Sequence, residues 1–89
     1  MRVEVKYLGF LEELLGRERE AFAAPEMTPR KILEFIIAKH GKKAQTMLIT
    51  DRGEVTVALV VLHEGRNVHL DESLADGMVI TLVLPVAGG

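Results

Sequence analysis

Two apolar, strand-like runs at opposite ends of the chain limit what it can fold into. At the N-terminus Val3, Val5 and Tyr7 alternate with Arg2, Glu4 and Lys6, the period-two pattern of a half-buried strand. At the other end Met78 to Leu84 is nearly all apolar, with Val79, Ile80, Leu82 and Val83 inside it. Two such strands belong in the middle of a sheet. Because they lie far apart in sequence, they are expected to run side by side and parallel. With 89 residues there is material for one core only, so everything between them must complete the same sheet or cover it.

The intervening segments read as follows. Gly9 ends the first strand. Phe10, Leu11, Leu14 and Leu15 recur at helical spacing, and Gly16 is placed to close that short helix. Residues 17–24 alternate weakly and carry charge on both faces, as an edge strand does. Thr28 followed by Pro29 is a helix start: a hydroxyl cap, then a proline where its missing N–H is harmless. Ile32, Leu33, Phe35, Ile36 and Ile37 form the buried stripe. Lys39 and His40 sit in the last turn, favourable against the helix dipole, and Gly41 ends the helix. Lys42 to Thr50 has room for one short helical turn carrying Met47 and Leu48. Residues 54–63 carry the strongest strand signal, apolar on both faces, which predicts a central strand buried on both sides. Glu64-Gly65 is a tight turn, Arg66 to Leu70 a short strand, and Asp71 to Gly77 a polar turn with Leu74 as a buried peg. The layout is α+β, helices on a sheet.

Several function classes are poorly supplied. A net charge of −2 and an aromatic content of 4% argue against nucleic acid, which needs a basic surface and stacking platforms. The absence of cysteine removes disulfides, thiol nucleophiles and thiolate metal sites, and fits a reducing compartment. The N-terminus lacks a signal-peptide pattern, and the longest apolar run, Val57 to Leu62, is far short of the ~20 residues of a membrane span. A cytoplasmic protein is therefore expected. His40, His63 and His69 supply no metal-ligand spacing. The hydroxyls form no nucleophile elbow, and the glycines form no phosphate loop. The chain holds no self-sufficient active site, no metal and no bound cofactor by this reading.

The ending is more informative. After Leu84 the chain runs out as Pro85-Val86-Ala87-Gly88-Gly89. Proline has no ladder donor, so pairing should stop near Pro85, which divides the chain into a domain at 1–84 and an extended tail at 85–89. Five residues reach roughly 16 Å when extended. The tail is uncharged except for its terminal carboxylate. Two readings fit: a frayed terminus, or a slim backbone that enters a narrow tunnel and presents the Gly89 carboxylate to another protein's catalyst.

A family resemblance adds to this. Val3-Glu4-Val5-Lys6-Tyr7-Leu8 followed by Phe10 to Gly16, the helix from Thr28 to Gly41, Val57 to Leu62 with Glu64-Gly65-Arg66-Asn67-Val68, Leu74-Ala75-Asp76-Gly77-Met78-Val79 and the Pro85 to Gly89 ending together resemble the β-grasp (ubiquitin-like) sulfur carriers. That family includes the small subunit of molybdopterin synthase and relatives in thiamine synthesis and archaeal ubiquitin-like modification. The resemblance implies a mixed sheet packed on one main helix. It implies that an E1-like adenylating enzyme uses ATP to activate Gly89, and that a sulfur donor then displaces AMP to leave a thiocarboxylate. It further implies that the tail inserts into the large subunit of molybdopterin synthase, in a heterotetramer, to build the molybdenum or tungsten cofactor. The chain would be a non-catalytic sulfur-donor subunit. A docking patch on the sheet face near the last strand is implied too, with Phe10, Leu59, Val61, Val83 and Leu84 as candidates. Attack on activated Gly89 by lysine, a thiamine-type role, or an interaction domain with an incidental diglycine are the alternatives.

Overall fold

The computed structural model describes residues 1–85; Val86, Ala87, Gly88 and Gly89 lie outside the described residues. The element order is β1 (Arg2–Gly9), α1 (Phe10–Leu15), β2 (Arg19–Ala23), α2 (Pro29–His40), α3 (Lys42–Leu48), β3 (Val60–His63), β4 (Arg66–Asn67) and β5 (Val79–Leu84). The five strands form one sheet in the order β2-β1-β5-β3-β4. β1 and β5 are adjacent and parallel, from Glu4 opposite Val79 to Gly9 opposite Leu84, as two apolar terminal strands require. β2 is the antiparallel edge beside β1. The architecture is the β-grasp, ubiquitin-like fold.

One sheet face carries the core. Val3, Val5 and Tyr7 of β1, Ile80, Leu82 and Leu84 of β5 and Val61 of β3 are buried against Leu11 and Leu15 of α1, Ile32, Leu33 and Ile36 of α2, and Leu48 of α3. Leu74 is the buried peg under the polar turn, its N–H donating to the Met27 carbonyl at 2.9 Å. α2 begins as its sequence dictates: the Thr28 hydroxyl accepts from the Lys31 N–H at 3.1 Å and Pro29 occupies the first turn. Phe22 of β2 stacks on Phe35 of α2 with ring centroids 5.8 Å apart, tying the edge strand to the helix layer.

Three segments differ from the sequence-based expectation. The run over 54–63 pairs in the sheet only from Val60 to His63. Upstream, Val55 bridges Ile49, and the chain turns through Thr56–Leu59, with the Leu59 N–H donating to the Thr56 carbonyl at 3.2 Å. The Thr56 hydroxyl accepts the Ala58 N–H at 3.3 Å, a local bond that competes with strand pairing. β3 is therefore not buried on both sides, and Val57 is 101% exposed. The strand expected from Arg66 to Leu70 pairs only at Arg66–Asn67; the buried Val68 that follows still donates its N–H to the Val61 carbonyl at 2.9 Å. The helical turn expected after Gly41 is the longer α3.

Candidate functional site

The geometry of interest lies at the end of the sheet where β1 and β5 both stop. Gly9 sits opposite Leu84 with φ 66° and ψ −135°, a conformation that side-chain-bearing residues avoid. It lets the chain leave β1 and enter α1 at once, so α1 flanks the point where β5 ends. Pro85 follows, exposed and outside the ladder. Pro85 thus follows directly on a central strand, with α1 beside the end of that strand on one side and, through the pairing of Val60 with Val83, the start of β3 on the other; Val86, Ala87, Gly88 and Gly89 lie outside the described residues.

Strand alternation decides the docking candidates. Val61 and Leu84 belong to the core face, 5% and 4% exposed, because Val61 sits opposite Leu82 and Leu84 shares the face of Ile80 and Leu82. Phe10 and Leu59 are half-buried against the same core. Val83 alone of the five lies on the opposite face. Around Val83 that face holds apolar residues absent from the sequence-based candidates: Leu8 and Val60, each beside Val83, and Leu62 beside Thr81, with Val79 further along. Leu8 and Val79 are exposed large hydrophobics. Thr81, the one polar residue in β5, marks this wetter face and is the sequence signal that points to Val79 and Val83.

A second constellation also escaped the sequence reading. Glu20 of β2 is buried, its side chain 1% exposed. Its Oε2 accepts from the Tyr7 hydroxyl at 2.6 Å and from His40 Nε2 at 2.7 Å. Its Oε1 lies 2.6 Å from Lys39 Nζ and 2.9 Å from Arg17 Nη1. Lys39 and His40 therefore hold a carboxylate on the edge strand as well as occupying the last helical turn. Burial by itself would raise the Glu20 carboxyl; the hydrogen bonds from Lys39, Tyr7 and His40 outweigh it and hold the group down to about 2. Burial, together with the hydrogen bond and charge of Glu20, pushes the Tyr7 phenol well above its usual range. With all four lone-pair directions used, this cluster is saturated. It fastens β1, β2 and α2 together and leaves no free base or acid for chemistry.

The histidines form no pair. His63 Nδ1 lies 3.1 Å from the Val79 carbonyl oxygen, and His69 is exposed. Among the described residues no helix is long and apolar enough to cross a membrane.

With this geometry in view, the similarities to known proteins can be set out. The model of the ThiS family matches residues 5–89. The crystal structure of SAMP1 from Haloferax volcanii is similar at 26% identity, covering 100% of both chains with a TM-score of 0.87. A Pyrococcus furiosus protein described as molybdopterin converting factor subunit 1 is 29% identical over 97% of this chain and 99% of its own, with a TM-score of 0.75. Subunit 1 or 2 in the Helicobacter pylori molybdopterin-converting factor complex shares the fold, at 24% identity over 100% of both chains and a TM-score of 0.58. No curated protein matches the chain.

Proposed function

The chain belongs to the ThiS family, and on that premise we propose that it is a sulfur carrier whose working group is the Gly89 carboxylate. The observation that carries this reading is the family match running to Gly89 itself, on a fold whose central strand β5 ends at Leu84 with Pro85 exposed outside the ladder. A carboxylate at the end of a slim backbone is a poor electrophile until activated. An adenylating enzyme supplies that: a Gly89 oxygen attacks the α-phosphorus of ATP, pyrophosphate leaves, and an acyl adenylate forms. A sulfur nucleophile then adds to the Gly89 carbonyl and expels AMP, leaving a thiocarboxylate. Splitting one hard substitution into two easier ones is the usual logic of covalent activation.

The destination of the sulfur is molybdopterin, with this chain as the small subunit of the synthase and the large subunit as its partner. Similarity to the Pyrococcus furiosus protein supports that choice. The open sheet face, with Leu8, Val60, Leu62, Val79 and Val83, offers an apolar surface for the partner, beside the end of β5.

A second reading is supported by the likeness to SAMP1 along the entire chain: a ubiquitin-like modifier in which a lysine amine, not sulfide, attacks activated Gly89. One pair of measurements separates them. Pyrophosphate exchange into ATP should depend on Gly89 in both cases. Gly88-Gly89 remnants on lysines of proteolysed cell extract belong to the modifier alone, whereas co-purification with a large synthase subunit belongs to the carrier. Exchange that persists after Gly89 is deleted would overturn both.

A further inference from the structure

One end of the core has no helix over it. An apolar recess of about 290 Å³ lies there, lined only by residues from 55–61 and 67–70. Val61 and Val68 reach it from the buried core, and Val55, Leu59 and Leu70 are half-buried around it. The turn at 56–59 contributes Val57 to the same lining, yet that side chain is 101% exposed. Val57 and Ala58 occupy the two central positions of the turn, where Gly, Asn, Asp, Pro or Ser are favoured. Nothing within the fold is gained by a valine there, and such local violations concentrate where a surface serves something outside the domain.

An unfilled apolar hollow and a projecting apolar side chain on one patch make that patch self-complementary. Two copies related by a two-fold axis bring each Val57 to the other's recess, the reciprocal contact that an isologous interface requires. Because Val57 lines its own recess, the axis passes close to it and the two valines also meet each other. The border of the patch fits the same arrangement. Exposed Glu54 precedes Val55 and exposed Arg66 precedes Asn67, so both signs are present, and the two-fold offers each charge its opposite on the other copy. Among the described residues Glu54 takes part in no ion pair. The second copy thus supplies hollow, projection and both charges from residues already in the chain.

We propose that this patch joins two copies of the chain in a weak two-fold dimer, with Val57 of each seated in the recess of the other. Nine residues line the recess, well under the roughly 20–30 on each side of a stable interface, so the association is a concentration-dependent one. It stands independently of the reading of Gly89.

Sedimentation equilibrium of the full-length chain tests it. Wild type should be monomeric at about 20 μM and shift toward dimer between about 0.1 and 2 mM, the range of so small a contact. Val57→Asp should raise the dissociation constant at least about tenfold, the loss expected for a central apolar anchor, and Val57→Ser should raise it less. In dilute solution both variants should melt with wild type, because the side chain is fully exposed. Amide resonances that shift with wild-type concentration should belong to residues 55–61 and 67–70. A wild type that stays monomeric at about 2 mM overturns the dimer. So does association that folded Val57→Asp leaves unchanged, or concentration-dependent shifts centred on Leu8 and Val83, which would move self-association to the open face. Loss of large-subunit capture by Val57→Asp with self-association intact also overturns it, and would give the patch to that partner.

Discussion

Replacing Glu20 probes the best-defined electrostatic feature of the fold. Its carboxyl is held from an ordinary 4.5 down to about 2. That depression corresponds to about 2–3 kcal/mol once solvent screening of the half-exposed Arg17 and Lys39 is allowed for. A separate route gives a similar figure. Glu20→Ala leaves the Tyr7 hydroxyl, on a residue 0% exposed, without its partner, and an orphaned buried donor costs about 1–3 kcal/mol. For a domain of this size that translates to a fall in melting temperature of about 10–20 °C at neutral pH. The sign with pH follows from linkage. A carboxyl depressed on folding contributes fully above its unfolded value and loses that contribution as pH falls through its folded one. The gap between wild type and Glu20→Gln should therefore be full at neutral pH and close between 4.5 and about 2, whereas the part of the Glu20→Ala gap due to the orphaned Tyr7 hydroxyl persists in acid. Melting curves by circular dichroism at stepped pH measure it. Equal melting temperatures at neutral pH, or a Glu20→Gln gap indifferent to acid, would refute the assignment of Glu20 as the tie between β1, β2 and α2.

Other outcomes follow from the same structure. Tyr7, raised on folding, contributes below its ordinary value of 10 and loses that contribution as pH rises beyond it; Tyr7→Phe should be less sensitive to alkali than wild type in thermal melts. Gly9→Ala should lower stability by about 1–3 kcal/mol through its positive φ alone, since an added Cβ meets its nearest neighbour, the Leu84 carbonyl oxygen, at an ordinary 3.8 Å; chemical denaturation reads this directly. Leu8→Asp, on the open sheet face, should abolish co-purification with the large subunit while leaving the melting temperature within a few degrees; Val61→Asp, on the core face, should unfold the domain. The reverse pattern would mean that the two faces have been exchanged.

The parts of the fold legible in sequence were those governed by local chemistry or by strong apolar contrast. The central, neighbouring places of β1 and β5 follow from two apolar strands that both demand the middle of the sheet. α2 follows from Thr28, Pro29 and Gly41. The run from Glu54 to His63 misleads because Val-Thr-Val-Ala-Leu alternates like a strand while containing no Gly, Pro or Asn to announce a turn; its first part is diverted by pairing with the end of α3, where Val55 bridges Ile49 and the Thr56 N–H donates to the Leu48 carbonyl at 2.8 Å, and by the Thr56 hydroxyl bonding to Ala58. Glu20 was hidden for another reason. Its partners Tyr7, Arg17, Lys39 and His40 are gathered by tertiary packing, although Phe22, two residues on, hints that Glu20 shares an inward face. Among the docking candidates Val61 and Leu84 fall on the core face and Val83 on the open one; β5 is apolar on both faces, and only Thr81 distinguishes the face of Val79 and Val83 from that of Leu82 and Leu84. The extended tail expected at 85–89 lies, beyond Pro85, outside the described residues, and the role proposed for Gly89 rests on the family match that reaches it.

The most direct test of the central claim is the intact mass of the protein after incubation with ATP, a sulfur donor and its adenylating enzyme, followed by fragmentation of the C-terminal peptide. The account predicts exchange of one oxygen for one sulfur, located on Gly89 and absent when Gly89 is deleted. An unchanged mass despite active enzyme, or sulfur located anywhere else in the chain, would contradict it.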